Sequence, residues 1–219
     1  MNSFLSTTML LLVILNPFAL SVYLFDVLRR HSMRVISGML TRALLIAGAV
    51  LGAFAVGGER LLTDLLQVRF FAFQIFGGIV FLVIGLKFIL EGAGTVTLLR
   101  GEPAELAGTV AMPFLIGPGT ISASAIGGVE HGPLAGVAVV VVALLVTGSV
   151  LVALKFVFDR LKERNAALLE RYAEIAGRVS GFVAGSISIE MIAVGIESWL
   201  SKSQLSAGVT VITRWSGVG

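Results

Sequence analysis

The sequence has no cysteine, so disulfides, thiol nucleophiles and cysteine-ligated metal centres are excluded. Charge is scarce as well. Asp, Glu, Lys and Arg make up 13% of the 219 residues, roughly half the share of a soluble domain. That excludes a solvated globular enzyme and a disordered segment. Histidine occurs only as His31 and His131, both at loop edges without a neighbour at metal-ligand spacing, and both read as solvated. A His-Glu-x-x-His motif, a phosphate-binding loop and paired intramembrane aspartates are all missing. Their absence argues against an intramembrane enzyme, a bound cofactor and ATP-driven pumping by this chain. What is present is apolar: 57% of residues are hydrophobic and the mean hydropathy is +1.00. A helix crosses a bilayer with about 20 apolar residues, so the chain reads as an all-α polytopic membrane protein whose main partner is the lipid bilayer.

The net charge of +3 does not imply nucleic acid, because the charges fall in short stretches between apolar runs, as topology signals do. Six spans are expected: Phe4–Phe25, Ile36–Gly58, Phe70–Leu90, Leu106–Val129, Gly132–Leu154 and Ala176–Leu200. The first has no Lys or Arg before it and no small-residue cleavage site after it, so it reads as a retained crossing. Eleven Lys and Arg follow spans one, three and five, and four lie on the opposite side. That bias places both termini away from the cytoplasm in a cell inner membrane. The segment Phe158–Glu174 has weakly amphipathic helical spacing and reads as a solvated connector. Residues 201–219 are expected to form a disordered tail.

The second half of the chain resembles the first. At an offset of 101 residues, Leu15-Asn16-Pro17-Phe18-Ala19-Leu20-Ser21 falls on Ile116-Gly117-Pro118-Gly119-Thr120-Ile121-Ser122. At an offset of 103, Gly78 falls on Gly181 and Lys87 on Glu190. Three spans per half is an odd number, so the halves enter the membrane in opposite directions. The expected plan is an inverted 3+3 repeat, with repeat one at about 1–92 and repeat two at about 104–200. Proline inside a helix removes an N–H donor and clashes with the carbonyl one turn back. Asn16-Pro17 and Gly117-Pro118-Gly119 therefore break spans one and four near mid-membrane. The freed backbone groups must face a polar cavity or each other, because lipid cannot pair with them. A half-helix N-terminus suits a carboxylate, and free carbonyls suit an ammonium group or a cation. A zwitterion needs both.

The strings LNPFAL, FGGIVFLVIGLKFIL, AMPFLIGPGTISASAI and SGFVAGSISIEMIAVGIES together resemble the MarC family, over nearly the whole chain to about Leu200. Its members resemble the SnatA neutral amino-acid transporters. The resemblance implies six transmembrane helices and, for the SnatA branch, proton-coupled transport of small neutral amino acids such as glycine or alanine.

The expected substrate residues are Asn16, Pro17, Ser21, Gly117, Pro118, Gly119, Thr120 and Ser122. Glu190 lies at mid-span, where a carboxylate costs a few kcal/mol and must pair with a cation or carry a proton. It is the expected coupling residue for H⁺ (or Na⁺). Lys87, its repeat mate, is either its partner or a side chain that snorkels to the interface. Gln74 suits the cavity or a neighbouring helix, and Gly181 and Gly185 have the small-residue spacing of packing within the bundle or between protomers of a homo-oligomer. The expected function is secondary transport. A passive channel or a structural membrane subunit is the alternative.

Overall fold

The computed structural model describes residues 3–58, 60–61, 69–91, 115–164 and 166–215. Every regular element among them is helical: α1 (Ser3–Leu15), α2 (Pro17–Tyr23), α3 (Phe25–Arg30), α4 (Met33–Gly57), α5 (Phe70–Glu91), α6 (Pro118–His131), α7 (Pro133–Arg164) and α8 (Ala166–Trp215). Among the described residues, five stretches are long and apolar enough to cross a bilayer: Ser3–Tyr23, Met33–Gly57, Phe70–Leu90, Pro133–Leu161 and Ala167–Ser201. At the expected fourth span stands α6, a helix of 14 residues that runs two residues past Val129, about 21 Å of helix against a hydrocarbon core of about 30 Å. The first part of that span, 106–114, and the connector 92–103 lie outside the described residues.

Two ends of the bundle can be told apart by their contacts. At one, Arg29 of α3 meets Glu170 of α8 at 3.3 Å, and Phe158 of α7 packs edge-on against Phe25 and Tyr172. This is the basic end. At the other, Thr7 of α1 meets His131 of α6 at 3.1 Å. The segment 158–174 is not a solvated connector: it forms the last turns of α7 and the first of α8. Phe158, Leu169 and Ala173 are buried, because their helical spacing turns one face into the bundle. Nor does the last helix stop at Leu200. It continues to Trp215, where the sequence reading expects a disordered tail. Residues 201–215 contain no proline that would end it.

Lipid tails are as apolar as leucine, so helices in a bilayer associate through close packing more than through the hydrophobic effect. Glycine provides it here, in reciprocal pairs. A Cβ added to Gly78 on α5 would lie 2.8 Å from the Ser188 carbonyl oxygen and 2.7 Å from Ile192 Cγ1 on α8. A Cβ on Gly181 of α8 would lie 2.8 Å from the Gly85 carbonyl oxygen and 2.8 Å from Ile89 Cγ1 on α5. Gly78, Gly85 and Ile89 are each 103 residues before Gly181, Ser188 and Ile192, so one half of the crossing repeats the other about a local twofold. The α4–α7 crossing does the same at an offset of 100: Gly48 faces Leu144, and Gly148 faces Leu44. The Gly181/Gly185 spacing therefore packs inside the chain, against α5.

Candidate functional site

The first break forms as proline chemistry requires. Pro17 cannot continue the α1 ladder, so α1 stops at Leu15 and α2 restarts with Pro17 in its first position. Asn16 between them has φ 38° and ψ 78°, and is the non-glycine residue with positive φ among the described residues. Its Oδ1 accepts the Ala19 N–H at 3.0 Å. Its own N–H donates to the Leu12 carbonyl, and its carbonyl accepts from Leu20. Asparagine tolerates the left-handed region because its short polar side chain bonds locally. Asn16→Ala should destabilise the protein by about 1–3 kcal/mol through lost cap and strained backbone, whereas Asn16→Gly should cost only a few tenths. Thermal unfolding in detergent should rank them in that order, and equal melting temperatures would show that Asn16 is not held in this conformation.

The second break opens α6. Gly117 is extended, Pro118 takes the first helical position, and the Gly117 N–H donates to Thr120 Oγ1 at 2.9 Å. The Thr120 hydroxyl returns its proton to the carbonyl of Leu115 or Gly117, each 2.9 Å away. Intrahelical bonding leaves the Gly119 and Thr120 N–H groups without a partner inside α6. They carry the positive end of the helix dipole.

The expected site residues fall into two cavities and a packed layer. One cavity, of about 410 Å³, is lined by Leu10, Val13 and Ile14 of α1, Gln74 of α5, Gly119, Ser122, Ala123 and Ile126 of α6, and Ser186, Ile187, Glu190, Met191 and Val194 of α8. We call it the acid cavity. It adjoins α1, on the side of the break away from the basic end. It unites three of the expected residues: Gly119, Ser122 and Glu190. The other, the tyrosine cavity, measures about 460 Å³ and is lined by Asn16 and Phe18 with Tyr172, Ile175, Ala176, Val179, Ser180 and Val183 of α8. It lies toward the basic end and takes Asn16 away from Glu190. A void of about 20 Å³ lies between, lined by Ile14, Leu15, Asn16, Ala19, Phe81, Ile84, Phe88, Ala184 and Ile187.

Ser21 and Thr120 line neither cavity. Ser21 is fully buried; its hydroxyl donates to the Phe18 carbonyl at 2.7 Å and lies 3.1 Å from the Tyr172 hydroxyl. Pro17, Gly117 and Pro118 shape the breaks from within the backbone. Pro118 packs directly on Gly77 of α5. Lys87 and Glu190 do not pair. Gly78 lies level with Ser188 and Ile192, and Lys87 is nine residues further along α5, about 13 Å away in depth. Lys87 is exposed near the end of its helix.

Tyr172 went unread in the sequence, and His131, expected to be solvated, is largely buried. Tyr172 lies in the segment assigned to a connector, so nothing marked it as facing a cavity. The His131 side chain is 9% exposed and lies between Ser3 Oγ (Nδ1, 3.4 Å) and Thr7 Oγ1 (Nε2, 3.1 Å), tying α1 to α6. Among the described residues no three His, Cys, Asp or Glu side chains are grouped as a metal site.

The family model for MarC family integral membrane proteins matches residues 1–200. The chain is also similar to a UPF0056 membrane protein of Pyrococcus horikoshii, at 30% identity over 154 residues, which is 69% of this chain and 75% of that protein. No solved structure matches it. The sequence strings around the two breaks and the all-helical bundle that they interrupt agree with the comparisons: the chain belongs to the MarC family of integral membrane proteins.

Proposed function

We propose that this chain is a secondary transporter of small neutral amino acids, of the glycine and alanine class, driven by H⁺ or Na⁺ and not an enzyme. The acid cavity carries the reading. It brings the first turn of α6, a site of partial positive charge with N–H groups unpaired within the helix, into the same space as the Glu190 carboxylate. A zwitterion offers a carboxylate to the first and an ammonium to the second. The remaining walls are largely apolar and leave room for a small side chain. The resemblance to the SnatA transporters points to the same substrate class. The reciprocal glycine contacts support an inverted 3+3 repeat, and the Lys and Arg bias supports an inner-membrane protein with both termini outside the cytoplasm. A passive channel fits less well, because the void between the cavities, about 20 Å³, holds about one water molecule.

The test is uptake of labelled glycine and alanine into proteoliposomes under a pH gradient and, separately, a Na⁺ gradient. Saturable uptake driven by one gradient is expected. Glu190→Gln should abolish gradient-driven accumulation and also weaken glycine-for-glycine exchange, since the same carboxylate is the partner of the substrate ammonium. Gly119→Leu places bulk against Ile14 Cγ2 and Met191 Sδ, which lie 3.1 and 3.4 Å from a Cβ at that position, and should suppress both. Uptake no greater than in protein-free liposomes under every gradient would end the amino-acid assignment.

A further inference from the structure

The two cavities and the void between them share walls in a fixed order. Ile14 and Ile187 line both the acid cavity and the void; Asn16 lines both the void and the tyrosine cavity. The three spaces thus lie in series, narrowing from about 410 Å³ to about 20 Å³ and widening again to about 460 Å³. The void is also placed on the local twofold. Ile84 and Ile187 are 103 residues apart and both line it, as do Phe81 and Ala184 at the same offset. That offset is the one that relates the reciprocal glycine contacts of α5 and α8.

We propose that the tyrosine cavity is the second compartment of the transport route, open toward the basic end, and that Ile84 and Ile187, with Ile14 beside them, form the barrier between the compartments. The proposal rests on the transporter reading for its cargo but not for its geometry. A barrier of two repeat-related isoleucines on a twofold is met alike from either compartment. Ile14 lies in the last turn before the break, two residues before Asn16, and against Gly119 in the first turn of α6. A change of backbone angles at Asn16 would therefore move a barrier side chain directly. The tyrosine cavity adds two polar groups that the expected site does not contain, Tyr172 and Ser180.

The chain has no native cysteine, so single cysteines report cleanly. Ser186→Cys places a thiol in the acid cavity and Ala176→Cys one in the tyrosine cavity. Each is treated with a charged, membrane-impermeant thiol reagent in right-side-out and in inverted membrane vesicles. The expected result is labelling of each from one side only, and from opposite sides. In the background Ile84→Ala/Ile187→Ala, that sidedness should be lost, with each thiol reacting from both sides. Ile14→Ala tests the same barrier should the paired variant fail to fold, and it too should relax sidedness. Labelling of both thiols from the same side, or unchanged sidedness in every folded barrier variant, overturns the proposal. Amino-acid uptake without opposite sidedness removes the barrier and leaves the transporter. Opposite sidedness that these variants abolish, without uptake, keeps the barrier and removes the substrate.

Discussion

Gly77→Ala is expected to abolish uptake and to lower the unfolding temperature, although it adds one methyl group. A Cβ at Gly77 would overlap Cγ of the Pro118 ring and lie 2.5 Å from its Cβ and 2.7 Å from its Cδ. Ordinary carbon contacts sit at about 3.5–4.0 Å. A flexible side chain could swing aside, but a proline ring is fused to its backbone at fixed φ. The clash must therefore move α5 or the whole first turn of α6. Overpacking of this kind costs about 1–3 kcal/mol. The functional loss should be larger than the stability loss, because Gly119 and Ser122 are carried on that same turn and face the acid cavity. Gly52→Ala is the control: nothing lies within 4 Å of a Cβ there, and replacing a half-buried helical glycine that has open space beside it should be neutral or stabilising by up to about 1 kcal/mol. If the ring contact is the cause, Pro118→Ala in the Gly77→Ala background should recover part of the lost melting temperature. Additive losses in that double-mutant cycle would mean the two residues do not meet.

The parts of this fold legible from sequence are those fixed by local chemistry. Asn16-Pro17 and Gly117-Pro118 break their helices wherever they occur, since the missing N–H and the ring clash belong to proline itself. The long apolar runs fix helices because lipid leaves the backbone few alternatives. Hydroxyl roles were not legible. Thr120 and Ser21 look like ligand groups on a helix at the right depth, but in low dielectric their protons go to carbonyls three to five residues away. The pairing of Lys87 with Glu190 failed for a geometric reason. A twofold sends equivalent residues to opposite sides of the axis, so repeat mates meet only on the axis, as Ile84 and Ile187 do around one void. The sequence offsets placed Asn16 and Gly119 in corresponding breaks, and the same relation puts them in different cavities. Segment 158–174 was misread because its charges mask an inward face in which Phe158, Leu169 and Ala173 are buried.

The second large effect concerns a charge just before that segment. Lys155 is 1% exposed, and its ammonium pairs with Asp159 one turn further along α7. An exposed pair at this spacing contributes about 0.3–0.5 kcal/mol, and losing either partner would matter equally little. This pair is asymmetric: the Lys155 side chain is 2% exposed and that of Asp159 is 44% exposed. Asp159→Asn leaves a buried ammonium without its counter-charge, which should cost about 3–5 kcal/mol. Lys155→Met removes the buried charge and keeps most of the packing volume, while the Asp159 carboxylate hydrates where it stands. Its cost should be well under half of that, since replacing the buried member by an apolar side chain is often neutral. The double variant Lys155→Met/Asp159→Asn should then recover most of the stability lost in Asp159→Asn. Thermal unfolding of the three variants in detergent reads the order directly. Equal small losses for both single variants would show a solvated pair, and with it a basic end of the bundle more open to water than the burial of Phe158 and Leu169 implies.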